Sequence, residues 1–189
     1  MPTLISGSTG IDKVQDSSIT SAKIADGAIT NTDINSSAAI AGSKLVMPAG
    51  SVIQVVNGTT YANASIGGAS FVDTNLTATI TPTSTSSKIL VFVTQPFTFT
   101  SSTSAGRDTK TQLLRGSTVI SSGWQEWYIY IGSFTSTNFT WAVTKLDSPN
   151  TTSATTYKTQ MYISGSTADL YAQKGGNTDS YITLMEIAV

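Results

Sequence analysis

The chain has 189 residues, a net charge of −1 and a charged fraction of only 11%, far below the quarter usual in globular chains. It contains no histidine and no cysteine, which excludes Ser-His-Asp triads, histidine-ligated zinc, thiolate nucleophiles and disulfides together. No basic patch stands out, so nucleic-acid binding by phosphate neutralisation is not expected. No stretch approaches the roughly 20 apolar residues of a membrane helix, so membrane insertion is not expected either.

Serine and threonine fill close to a third of the chain, and hydrophobic residues 39%. Thr, Val, Ile and the aromatics favour pleated, half-buried surfaces, and clusters of Gly, Ser, Asn and Thr between short apolar runs supply turns. The composition predicts an all-β protein. A surface so poor in charge suits a chain covered by copies of itself or by a larger particle. Residues 1–10 show neither a basic start nor an apolar run, so no secretory signal is expected.

The clearest pattern comes first along the chain. Val14, Ile19, Ile24, Ile29 and Ile34 stand five residues apart. One extra residue intervenes before Ile40, and five more lead to Leu45. The residue two before each aliphatic is small from Ile19 onward: Ser17, Ala22, Gly27, Thr32, Ala38 and Ser43. Five matches neither the helix period of about 3.6 nor the strand period of about 2. The period therefore calls for a repeated local unit containing a bend. A disordered linker would suit this composition, but a linker has no reason to hold seven aliphatics in near-register. One aliphatic per five residues cannot build a core from a single chain. These side chains are expected to be buried among copies of the chain or against a neighbour's surface. Residues 1–47 are read as an assembly and docking arm, flexible in a free monomer.

Residues 47–50 (MPAG) mark a boundary, and residues 48–189 read as a β head. Strands are predicted over 51–57, 71–81, 88–100, 109–120 with a turn at 115–117, 124–131, 137–145, 157–164, 168–173 and 181–189. Pro96 suggests a bulge or an edge inside the third of these. The last, YITLMEIAV, is expected to be buried. About nine strands at such spacing predict a jelly-roll-like β-sandwich, and no amphipathic helix is convincing.

The phrases MPTLISGSTGIDKVQDSSI and SSITSAKIADGAITNTDINSSAAIAGSKL resemble the N-terminal arms of tailed-bacteriophage fibre and capsid-decoration proteins, particularly from aquatic phages. VIQVVN, FVDTNLTATITPTSTSSKILVFV and YITLMEIAV resemble the β-sandwich heads attached to such arms. Together they cover most of the chain. The resemblance implies a virion component made in the host cytoplasm, a homotrimer, and a head of jelly-roll or complement-globular-domain type. Its partners would be copies of itself and other virion proteins of the capsid or tail. The arm is short for a fibre reaching a distant receptor. That favours a short fibre or capsid cement protein, with a glycan-recognising tail-fibre tip as the alternative.

Chemistry is sparse. The only glutamates are Glu126 and Glu186. Glu126 lies between Trp124 and Trp127, a setting that could raise a carboxyl pKa and stack a sugar, but a solvent-facing strand residue explains it better. Glu186 reads as a paired charge near an interface. Asn177 and Asp179 lack calcium-loop spacing. The 7–10 segment (GSTG) lacks the lysine of a phosphate loop. No enzyme activity, cofactor or metal is expected. Trp124, Trp127, Tyr128, Tyr130, Phe139 and Trp141 form an aromatic group. Part of it should fill the core or a subunit interface, and part could contact a host glycan.

Overall fold

The computed structural model describes residues 19–30, 32–38, 40, 47–102, 105–131, 135–165, 168–176 and 179–189, with 105, 123–131 and 135 in their backbone only. The chain divides into two compact units, Met1–Val46 and Met47–Val189. Calls on Val14, Leu45, Asn177 and the 7–10 loop lie outside the described residues, as do the side chains of Trp124, Glu126, Trp127, Tyr128 and Tyr130.

Among the described residues the head has ten strands: β1 (Val52–Thr60), β2 (Ala64–Ile66), β3 (Val72–Ile80), β4 (Lys88–Ser101), β5 (Ala105–Arg115), β6 (Thr118–Ile131), β7 (Thr135–Asp147), β8 (Thr155–Ile163), β9 (Ala168–Ala172) and β10 (Ser180–Ile187). One sheet runs β1-β10-β4-β9-β2, with β7 on the other edge of β4; the second runs β3-β8-β5-β6. Every pairing is antiparallel. With the short β2 and β9 set aside, the eight remaining strands, counted in chain order, lie 1-8-3-6 in one sheet and 2-7-4-5 in the other. That is jelly-roll order, so the fold class expected from the sequence is the fold observed.

Alternation of side chains builds the core. On β4, Ile89, Val91, Val93, Phe97 and Phe99 point inward and are buried. They meet Leu76, Ala78 and Ile80 of β3 and Met161 and Ile163 of β8, with Ile182 and Leu184 of β10 alongside. The middle of the sandwich is polar. Thr159 Oγ1 donates to Gln95 Oε1 at 2.9 Å, and Gln95 Nε2 donates to Thr74 Oγ1 at 2.8 Å. The Gln173 amide is satisfied with its oxygen toward Ser180 and Gln95 and its nitrogen toward the carbonyls of Ala62, Thr74 and Ala172. Each buried polar atom of this group thus has a partner, as an apolar interior demands.

Three local expectations differ from the structure. Pro96 lies neither at an edge nor at a shift of register: β4 is central and stays paired with β7 through Pro96↔Thr140. On its other side β4 pairs with β10 up to Thr94 and with β9 from Phe97. Pro96 occupies the gap between these neighbours, where its missing N–H breaks no ladder bond. β6 continues through Ser121, Ser122 and Gly123, because pairing with Leu113, Gln112 and Thr111 of β5 overrides their weak strand propensity. A tenth strand, β2, arises within a segment read as loop, held by Ala64↔Ala172 and Ile66↔Leu170.

Candidate assembly elements

In the arm, Thr20 O accepts from Lys23 N–H at 2.9 Å, Ala25 O from Ala28 at 3.0 Å, Thr30 O from Asp33 at 3.0 Å and Asn35 O from Ala38 at 2.8 Å. Four turns therefore repeat with the five-residue period of the isoleucines. Each repeat is a four-residue turn plus one residue that joins it to the next. The joining residue is Ile19, Ile24, Ile29 or Ile34. Ile24 has the extended backbone (φ −105°, ψ 114°) suited to that place, and β-branched residues favour it.

Side chains reinforce the bends. Asp33 Oδ2 accepts from Thr30 N–H at 2.8 Å and from Thr30 Oγ1 at 2.7 Å. These bonds hold the Asp33 carboxyl below its ordinary pKa, the backbone bond most. Asn35 Oδ1 accepts from Ser37 N–H at 2.8 Å, an Asx turn. Gly27 has φ +76°, in the left-handed region that a type II turn requires at its third position. At the six-residue interval, Ile40 N–H donates to Ala38 O at 3.0 Å.

This unit buries nothing among its described residues. Ile19, Ile24, Ile29, Ile34 and Ile40 remain between 40% and 57% exposed. Full burial of one such side chain contributes about 1.5–3 kcal/mol. The arm thus holds a regular row of aliphatics whose main apolar stabilisation is still unrealised.

The head places its other candidates differently. Trp141 is 3% exposed and joins the core cluster, with Phe139 and Val143 packed against it from the same strand. Its ring is spent on the interior and offers little surface to a glycan. Phe97 and Phe139 stack at 5.4 Å between ring centroids. Glu186, expected to be a paired charge, is instead a buried carboxylate held by neutral donors. Gln54 Nε2 donates at 2.6 Å, and Thr83 donates its N–H and its Oγ1 at 2.7 Å each. Burial pushes this carboxyl up, but the bonds from Gln54, Thr83 and Ser87 outweigh burial and hold it below the usual range. Neutral donors suffice because the loop before β4 folds over the end of β10.

Among the described residues no group of His, Cys, Asp and Glu could hold a metal ion, and no helix is long and apolar enough to cross a membrane. An open hollow of about 290 Å³ lies over β4 and β7, lined by residues that include Pro96, Thr98, Asn138, Thr140 and Lys174.

No protein-family model matches the chain, and no curated protein is similar to it by sequence. Among solved structures it is similar to the particle of infectious bursal disease virus, Gx strain, at 14% identity and a TM-score of 0.40, over 74% of this chain and 39% of that one. It is also similar to the VP2 subviral particle of that virus, at 11% identity and a TM-score of 0.39, over 74% of this chain and 38% of that one. The chain therefore spans less than two fifths of the length of those proteins.

Proposed function

We propose that this chain is a structural protein of a bacteriophage particle, a short fibre or a capsid cement protein. Residues 1–47 dock it through Val14, Ile19, Ile24, Ile29, Ile34, Ile40 and Leu45, and the head is displayed as a homotrimer. It is not an enzyme and takes no cofactor. The observation that carries this reading is the row of exposed isoleucines on a regular ladder of turns. A chain does not gain by holding such a row in water, so its partner lies outside the chain. The jelly-roll head and the resemblance of arm and head to phage appendages point the same way. Electron microscopy of purified virions, labelled on this protein, tests it. Label on the particle surface is expected; its absence from particles sinks the reading.

A second reading, a tail-fibre tip recognising a host surface glycan, is favoured by two exposed tyrosines, Tyr61 and Tyr181. The Tyr181 hydroxyl donates to Asp179 at 2.8 Å, and such ring-and-carboxylate pairs suit sugars. It requires the purified protein to bind host envelope glycan and to block infection. No binding at micromolar protein would remove it.

A further inference from the structure

Among the described side chains, the outer faces of the two sheets differ, apart from the contact of Phe71 with Tyr162 beside β8. On the outer face of the β3-β8-β5-β6 sheet, polar pairs bridge the strands. Lys158 Nζ meets Asp73 Oδ2 at 2.9 Å, Gln160 Nε2 donates to Asp73 Oδ1 at 2.7 Å, and Gln112 Nε2 donates to Gln160 Oε1 at 2.6 Å. Thr79 and Thr156 share a 2.8 Å bond on the same face.

The outer face of the β1-β10-β4-β7 sheet has an apolar row instead. Register places Val55 opposite Met185, Met185 opposite Leu90, and Leu90 opposite Leu146, one residue from each of four successive strands. Val55 is 55% exposed and Leu146 50%. Phe92, two residues along β4 on the same face, is 38% exposed. Val52, 47% exposed, stands opposite Ile187 in the other direction. The one charged residue in these rows is Lys88, opposite Ile187.

We infer that this face is where one head packs against a second copy of the chain. Three observations select that occupant. Rows with a single charge give a foreign partner little to select by charge, whereas another copy meets them apolar to apolar. The net charge of −1 sets no repulsion between copies. The patch also lies beside the first residues of the head. Gly50 N–H donates to Ala188 O at 2.8 Å, and Ala188 N–H donates to Ser51 O at 2.9 Å, which pins the start of the head to the end of β10 beside Val52 and Ile187. Copies docked side by side by their arms bring these ends together and raise the effective concentration of one patch at the next. This last argument rests on the arm reading above; the first two do not.

The test uses the full chain in solution. Val55→Glu with Leu146→Glu places charge on side chains already half exposed, so the fold is expected to persist, with an unchanged circular dichroism spectrum and thermal midpoint. Sedimentation velocity is expected to give a multiple of the 19.7 kDa chain mass for the wild type and one chain mass for the double variant. Thr79→Glu with Thr156→Glu, on the opposite face, is expected to keep the multimer. A wild type that sediments as one chain overturns the inference, as does a double variant that stays multimeric. Ile24→Asp with Ile34→Asp separates the two readings. It is expected to lose particle docking and keep the solution multimer. If it dissociates the multimer while the head variants do not, association belongs to the arm and the face is not the interface.

Discussion

The Tyr157 hydroxyl, on β8, donates a 2.7 Å hydrogen bond to Oδ2 of Asp147, on β7 in the opposite sheet. Arg115 Nη1 reaches both oxygens of the same carboxylate, at 2.9 and 2.8 Å. Tyr157 is fully buried, and the Asp147 carboxylate it meets ties the two layers together, with the Arg115 side chain 27% exposed beside it.

Tyr157→Phe removes a hydrogen bond to a charged acceptor and should lower stability by about 1.5–3 kcal/mol, read from the midpoint of urea unfolding. Burial raises the Tyr157 pKa most; the bond to Asp147 and its charge raise it further, and Arg115 offsets part of this. A raised value means that the folded chain keeps a proton the unfolded chain releases. The contribution is whole below the ordinary tyrosine value, about pH 10, and is lost as pH rises above it. In an ultraviolet phenolate titration, one tyrosine should ionise only on unfolding, and that step should vanish in Tyr157→Phe.

Glu186 has the opposite sign. Its carboxyl is held below the ordinary value, so its contribution is present above about pH 4.3 and is lost as pH falls below that. Glu186→Gln should lower stability at neutral pH by about 1–2 kcal/mol. It should also flatten the acid limb of the stability curve. Thermal midpoints between pH 3 and 7 check both effects. An unchanged acid limb would show that other carboxylates set it.

Gly58 marks a close approach between strands of different sheets. A Cβ there would meet the carbonyl oxygen of Thr77 on β3 and the side chain of Ile182 on β10. Gly58→Ala should therefore destabilise by about 1–3 kcal/mol through overpacking. Gly68→Ala, in open space, is the control and should be near neutral in the same unfolding assay.

The elements that the sequence made legible are those in which residue type differs between faces. FTFT at 97–100 alternates apolar and polar at the end of β4, and the five-residue spacing of the isoleucines marks the turns that the arm forms. Where threonine occupies both faces, pattern is silent. Thr74 and Thr159 point into the sandwich and Thr79 and Thr156 out of it, yet nothing local tells them apart. The polar centre around Gln95 and Gln173 was invisible for that reason. So was the apolar row on the outer face, because Val55, Met185, Leu90 and Leu146 come together only through register. Pro96 read as a defect in a strand because its remedy, a change of neighbour at that residue, is a property of β9 and β10. Trp141 could be assigned to the core only once its strand's inward face was known.

The central claim is that the exposed isoleucines of the arm are the docking element. The direct measurement is the copy number of this protein on purified particles when Ile24, Ile29 and Ile34 are each replaced by Asp. All three are exposed, so the head should keep its circular dichroism spectrum and thermal midpoint. Incorporation should fall by at least about tenfold, the equivalent of about 1.4 kcal/mol. Particles that carry the triple variant at the wild-type copy number would contradict the account.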